Sequence, residues 1–135
     1  LGLDVGEKKI GISLSDPTES IAQSLKLYRR STVKEDLEEL KGIVAAHEVG
    51  KIVIGLPKDL SGALGKKARE IMGLAEEIGQ AVPIPIVLWD ERFSTNEANR
   101  IFDMAQVTQK KRKPFIDMMA SQIILQGYLD AQKNQ

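Results

Sequence analysis

Leu1-Gly2-Leu3-Asp4-Val5-Gly6, then Glu7-Lys8-Lys9, then Ile10-Gly11-Ile12-Ser13-Leu14-Ser15 is the stretch on which the fold turns. Both arms alternate apolar residues with small, polar or acidic ones, the period of a strand with two unlike faces. The short charged link between them predicts an antiparallel hairpin. Leu1, Leu3 and Val5, with Ile10, Ile12 and Leu14, point to a core. The other face carries Gly2, Asp4 and Gly6 beside Gly11, Ser13 and Ser15. Glycine weakens a strand and marks a place where a ligand or another backbone comes close. This face is therefore expected to clear space around one carboxylate.

Asp16-Pro17-Thr18 is turn chemistry, and a third strand is expected around Ser24 to Tyr28. From Thr32 the period becomes helical: Val33, Leu37, Leu40 and Val44 recur among charged residues, Thr32 or Ser31 supplies the cap, and Gly50 closes the helix. Lys51 to Leu56 is a continuous β-branched run centred on Ile52-Val53-Ile54, the mark of a strand buried on both faces, and Pro57 ends it. A glycine-containing loop leads to a helix over Lys66 to Gln80. Ile86 to Trp89 is another buried strand, and Asn96 to Met104 a further helix. A basic loop follows from Ala105 to Lys113, with Pro114 at the first position of a last helix. The order βββαβαβαα predicts an α/β fold: a mixed five-stranded sheet, three antiparallel strands then two parallel, with helices packed on its faces. That topology is ribonuclease H-like, and topology alone assigns no function.

The chain has 135 residues, 42% hydrophobic and 28% charged, which fits one domain spanning 1–135. Nineteen basic and nineteen acidic side chains cancel, so no whole-molecule field selects a polyanion. The absence of cysteine removes disulfides, thiolate zinc sites and thiol catalysis. The single histidine, His47, excludes a His-rich metal site. No apolar run reaches the roughly 20 residues of a membrane span, no signal peptide is visible, and the apolar start at Leu1 is expected to lack a few upstream residues. Chemistry must come from carboxylates, lysines, arginines and hydroxyls.

Three places could supply it. Asp4 lies on the first strand. Asp90-Glu91-Arg92 follows the strand ending at Trp89, at the carboxyl end where α/β sheets bind ligands. Strand alternation sends Asp90 and Glu91 to opposite faces, so one of them is expected to join Asp4. Asp117, expected in the first turn of the last helix, is the third acid. Carboxylates converging from separate elements suit Mg²⁺ or Mn²⁺, which take oxygen ligands. Arg92 offers a planar fork for phosphate. Lys110-Lys111-Arg112-Lys113 is the one dense cationic run, and Lys58, Lys66 and Lys67 flank a second basic loop. Gly65-Lys66 is not a Walker loop, because Leu60 stands at its first glycine position and Lys67 replaces the Ser/Thr.

Together these motifs resemble the YqgF (RuvX) family along essentially the whole chain. The resemblance is carried by Leu1–Gly6 with Ile10-Gly11-Ile12, by Gly55-Leu56-Pro57 with Ser61-Gly62, by Asp90-Glu91-Arg92 with Ser94-Thr95, and by Asp117 ahead of Ile123–Gln126. It implies a ribonuclease H-like fold, a bacterial cytoplasmic protein, and a nuclease maturing the 5′ end of 16S ribosomal RNA. An older reading in the family is Holliday-junction resolution. Asp4, Glu91 (or Asp90) and Asp117 fall on its acidic positions and are the expected metal ligands and catalytic residues. Lys8, Lys58, Ser61, Gly62, Arg92, Ser94, Lys110, Lys111, Arg112 and Lys113 are the expected contacts to nucleic acid. Two departures stand out. Gly55-Leu56-Pro57 occupies the place of the usual second acid of ribonuclease H-like enzymes, and the loop reads Asp59-Leu60-Ser61-Gly62.

Two rival readings fit the same residues. Asp4-x-Gly6 also opens the first phosphate loop of actin/hexokinase-type ATP-binding proteins, but those need two related domains. A non-catalytic RNA-binding factor for ribosome assembly is the other. A monomer would fit single-strand cleavage, and a homodimer would fit resolution of a junction.

Overall fold

Among the described residues, five strands and three helices follow one another in the computed structural model, which describes residues 1–57, 65–90, 103–106 and 108–133, with side chains at all of these except 109 and 112–118. They are β1 (Gly2–Val5), β2 (Lys9–Ser15), β3 (Ala22–Arg29), α1 (Val33–Ala46), β4 (Ile52–Leu56), α2 (Lys66–Ala81), β5 (Ile86–Asp90) and α3 (Gln109–Lys133). The sheet order is β3-β2-β1-β4-β5. β1–β2 and β2–β3 are antiparallel, while β1–β4 and β4–β5 are parallel, as the sequence predicts.

Local chemistry explains the elements. Thr32 is extended and its hydroxyl accepts from the Glu35 N–H at 3.1 Å, capping α1. That helix ends earlier than expected: Glu48 takes the left-handed conformation at φ 52°, two residues before Gly50. β3 starts at Ala22 rather than Ser24, because its ladder with β2 runs on through the pairs Leu14 with Gln23 and Ser15 with Ala22, and side chains of α3 pair its outer edge. Gln126 accepts from the Ala22 N–H at 2.9 Å and donates to the Ser20 carbonyl at 2.9 Å, while Gln122 donates to the Ala22 carbonyl at 3.1 Å. An open sheet edge invites other strands, and these two glutamines occupy part of it.

The sheet has a core on each face. Leu1, Leu3, Val5, Ile10, Ile12, Ile52, Ile54 and Leu56 pack with Leu40 and Ile43 of α1 and Ala68, Ile71, Leu74, Ala75 and Ile78 of α2. On the other face Val53, with Val87 and Trp89, meets Ile124, Leu125, Tyr128 and Leu129 of α3. β4 therefore contributes to both, as its unbroken apolar run implies. A fully buried Leu or Ile contributes about 1.5–3 kcal/mol, so each helix is held mainly by its apolar stripe.

The last helix departs from expectation. α3 begins at Gln109, and the Thr108 hydroxyl accepts from the Lys111 N–H at 3.4 Å. Pro114 is thus inside the helix, not at its first position. Lys110 to Lys113 are helical rather than a loop, and Asp117 lies past the first turn. Proline inside a helix forfeits the N–H that would reach the i−4 carbonyl, here that of Lys110, and its ring crowds that carbonyl, a cost confined to one position of a 25-residue helix. Of the expected helix over 96–104, only 103 and 104 lie within the described residues, and both are helical.

Candidate functional site

Register fixes which side chains share a face. Gly2 is opposite Ser13 and Asp4 opposite Gly11 across β1–β2, while Gly2 pairs with Val53 and Leu3 with Ile54 across β1–β4. One residue further along, Asp4 is level with Gly55, and Gly55 pairs with Trp89 of β5. Laterally paired residues point the same way. Asp4, Gly11, Gly55 and Trp89 therefore share the α3 face, near the carboxyl ends of β1, β4 and β5. The half-buried Asp4 carboxylate has glycine beside it on both neighbouring strands.

The remaining small residues of that face serve the helix. A Cβ on Gly2 would lie 2.8 Å from Leu125 Cβ and 2.5 Å from Ser13 Oγ. Ser13 Oγ is 3.0 Å from the Ser121 carbonyl oxygen, and Ser121 Oγ donates to the Gly2 carbonyl at 2.9 Å. The cleared face is thus divided. Its lower half admits the backbone of α3, and its upper half holds Asp4. Alternation alone does not separate these uses, since both require small residues.

α3 runs antiparallel to β1. Its Tyr128 hydroxyl accepts from Lys51 at 2.9 Å just before β4 begins, whereas Ser121 sits over Gly2. From Ser121 back to Asp117 is four residues, about 6 Å of helix. From Gly2 to Asp4 is two residues, about 6.6 Å of strand. The helical turn bearing Asp117 is thus level with Asp4 on the same face.

Asp90 belongs elsewhere. It pairs with Leu56, two residues on from Ile54, so it shares the face of Leu3, Ile54 and Leu56, away from Asp4. Glu91, Arg92 and Ser94 lie outside the described residues, as do Lys58, Ser61 and Gly62. Lys8 is exposed in the turn after β1, at the same sheet edge as Asp4. Lys110 and Lys111 are exposed in the first turn of α3. Lys66 and Lys67 are exposed at the start of α2, which follows β4. His47 ends α1, exposed. Among the described residues no three His, Cys, Asp or Glu side chains cluster as a metal site, and no described helix is long and apolar enough to cross a membrane.

Arg30, Asp36 and Tyr28 form a group that sequence reading missed. The Asp36 carboxylate, 1% exposed, accepts from Tyr28 Oη at 2.9 Å, Ser31 N–H at 2.9 Å and Arg30 Nε at 3.1 Å. Burial opposes its ionisation, but the Ser31 N–H, the Tyr28 hydroxyl and the Arg30 guanidinium together outweigh it and hold the carboxyl below the usual range. Burial, followed by the Asp36 hydrogen bond, raises the Tyr28 hydroxyl. An acid in a helix's first turn reads as a dipole complement, which hid this one.

The RuvX family model, described as Holliday junction resolvase, matches residues 1–131. A protein of Thermoanaerobacter pseudethanolicus is 46% identical over 136 residues, covering 100% of this chain and 98% of that one. One from Halalkalibacterium halodurans is 48% identical over 135 residues, covering 98% and 96%. Both bear the name "Putative pre-16S rRNA nuclease". Among solved structures, T. thermophilus RuvC in complex with a Holliday junction substrate matches with a TM-score of 0.60 at 12% identity, covering 99% of this chain and 94% of that one. The fowlpox virus resolvase with Holliday junction DNA matches with a TM-score of 0.56 at 11% identity, covering 97% and 96%. The fold is accordingly ribonuclease H-like.

Proposed function

This chain belongs to the RuvX family, and from that premise we propose that it is a metal-dependent endonuclease acting at the 5′ end of precursor 16S ribosomal RNA. The observation that carries the reading is Asp4: a half-buried carboxylate on the central strand, between Gly11 and Gly55, facing the helix that bears Asp117. The donor set is carboxylate oxygen, which fits a hard divalent cation. Asp4, Glu91 and Asp117 would hold Mg²⁺ or Mn²⁺. When bound, such an ion polarises the phosphate and lowers the pKa of its water.

Glu91 is preferred to Asp90 because Asp90 is turned to the other face of β5. β5 also lies two strands from β1, about 9–10 Å, a span better suited to the longer glutamate arm. Lys8, with Lys58, Ser61, Gly62, Arg92, Ser94 and Lys110–Lys113, would bind the phosphate backbone and offset repulsion between the acids and the substrate. Residues 1–135 would act as one catalytic domain in the cytoplasm, with nucleic acid as partner.

Branched DNA is the second reading, favoured by the description of the matching family. One assay separates the two: wild-type protein is offered a precursor 16S fragment and a four-way junction, with Mg²⁺ and then Mn²⁺. Cleavage of the RNA at one 5′ position with the junction intact is the expected result. Junction cleavage by a homodimer would establish the second reading. Binding of RNA without cleavage of either would leave an assembly factor.

A further inference from the structure

Arg30 holds both ends of the turn that follows Asp4. Its backbone N–H donates to the Lys8 carbonyl at 2.8 Å, and its Nη1 donates to the Gly6 carbonyl at 2.9 Å. Enclosing these two points, the Gly6 N–H closes the turn on the Lys9 carbonyl at 2.8 Å. The turn has no slack, since a Cβ on Gly6 would meet the Lys9 carbonyl oxygen at 2.9 Å. Arg30 Nε in turn binds the buried Asp36, whose remaining contacts come from Tyr28 and Ser31. A chain of hydrogen bonds thus runs from the first turn of α1 to the backbone two residues beyond Asp4.

We propose that Arg30, oriented by Asp36, is a positioning residue for Asp4: it fixes the Gly6–Lys9 turn and so the direction in which the carboxylate and Lys8 face substrate. This rests on the reading of Asp4 as a metal ligand. Stability alone is a poor reason for the pair, because a buried ion pair is often no better than apolar residues of similar volume. What it adds is direction. Nε and Nη1 are used at once on two acceptors, a geometry a rigid guanidinium provides and a lysine ammonium does not. Misplacing a reacting group by about 1 Å can cost about 100-fold in rate, so a turn pinned at both ends has a use at this position.

The test compares wild type with Arg30→Lys and Asp36→Asn. Lysine retains the charge and the backbone bond to Lys8, and asparagine retains the shape and one acceptor, so folded protein is expected from at least one. Three quantities are read: amide exchange at Gly6 against Val53 in β4, Mn²⁺ affinity by electron paramagnetic resonance, and kcat separately from KM. The expected result in a folded variant is faster exchange at Gly6 with Val53 unchanged, Mn²⁺ binding weaker by about 5–10-fold, and kcat lower by roughly 10–100-fold with KM within about twofold. Wild-type exchange at Gly6 and wild-type Mn²⁺ affinity in a folded Arg30→Lys protein would overturn the proposal. If the wild type itself bound no Mn²⁺, the metal reading would fall and the proposed role of Arg30 with it. Exchange at Gly6 would still show separately whether Arg30 holds the turn.

Discussion

Ser13 and Ser121, 108 positions apart in the chain, meet in the interior with their hydroxyl oxygens 2.9 Å apart. Both are fully buried. Through them the last helix is fastened to the central hairpin, since Ser121 Oγ also donates to the Gly2 carbonyl. The contact lies one helical turn from Asp117 and two strand residues from Asp4, so it sets the height at which helix and sheet face each other.

Ser121→Ala leaves the Ser13 hydroxyl and the Gly2 carbonyl short of a buried partner, at a cost of about 1–3 kcal/mol. Adding Ser13→Ala should cost less than the sum of the singles, because the second substitution removes a hydroxyl that has already lost its contact to Ser121 Oγ and keeps only the Ser121 carbonyl. Urea unfolding of the four proteins measures the coupling, and strict additivity would deny it. Gly2→Ala should be more damaging than either, since its Cβ would strike Leu125 Cβ.

The two adjacent acids after Trp89 should behave differently. Glu91→Gln is expected to lower the single-turnover cleavage rate by about 100-fold or more, while Asp90→Asn, on the other face of β5, should keep it within about tenfold. The reverse order would move the ligand to Asp90.

The basic run makes a sharper prediction as helix than as loop. Four consecutive helical positions fan around the axis at about 100° each, so about two of Lys110–Lys113 can face one substrate strand. Replacing all four with alanine should weaken binding and reduce the log–log salt slope by about 1.4 for single strands, from about 0.7 per phosphate contact. Stability should hold or rise, because cations near a helix N-terminus oppose its dipole. An unchanged slope would assign the run to solvated surface.

Acid stability has an identifiable contributor in Asp16. The Thr18 hydroxyl, then the Ile21 and Ser20 N–H groups, hold its carboxyl down from 3.8 to about 2. A carboxyl lower in the folded than in the unfolded state contributes fully above the unfolded value. Its contribution is lost as pH falls through the folded value. The stability gap between wild type and Asp16→Asn should therefore be constant above about pH 5 and narrow from pH 4 to pH 2, as read from urea midpoints. An equal gap throughout would show that the Thr18 contact is not charge-assisted.

Much of this arrangement was legible because it is local. Alternation in Leu1–Val5 assigned the core face, the Ile52–Leu56 run assigned a strand buried on both sides, and Thr32 announced its helix. The start of α3 is not legible locally, because Pro114 is the stronger signal whereas it is the Thr108 hydroxyl that accepts at the helix start. The division of the Gly2–Asp4 face, and the Arg30–Asp36 pair gripping Gly6, were not legible. Each depends on elements that only the folded chain brings together, such as Ser121 over Gly2. Gly55 stands in the sequence where ribonuclease H-like enzymes carry an acid, whereas register puts it beside Asp4 on the neighbouring strand.

In the proposed division of labour, the Asp4 carboxylate does the chemistry while the basic residues provide the grip. This division is tested most directly by one comparison: cleavage of a precursor 16S fragment in Mg²⁺ by wild type and by Asp4→Asn, with RNA affinity measured on the same samples. Cleavage by wild type should be lost in the variant, with RNA bound as tightly or more tightly, since a ligand and a charge repelling phosphate are removed together. Undiminished cleavage by the folded Asp4→Asn protein would contradict it.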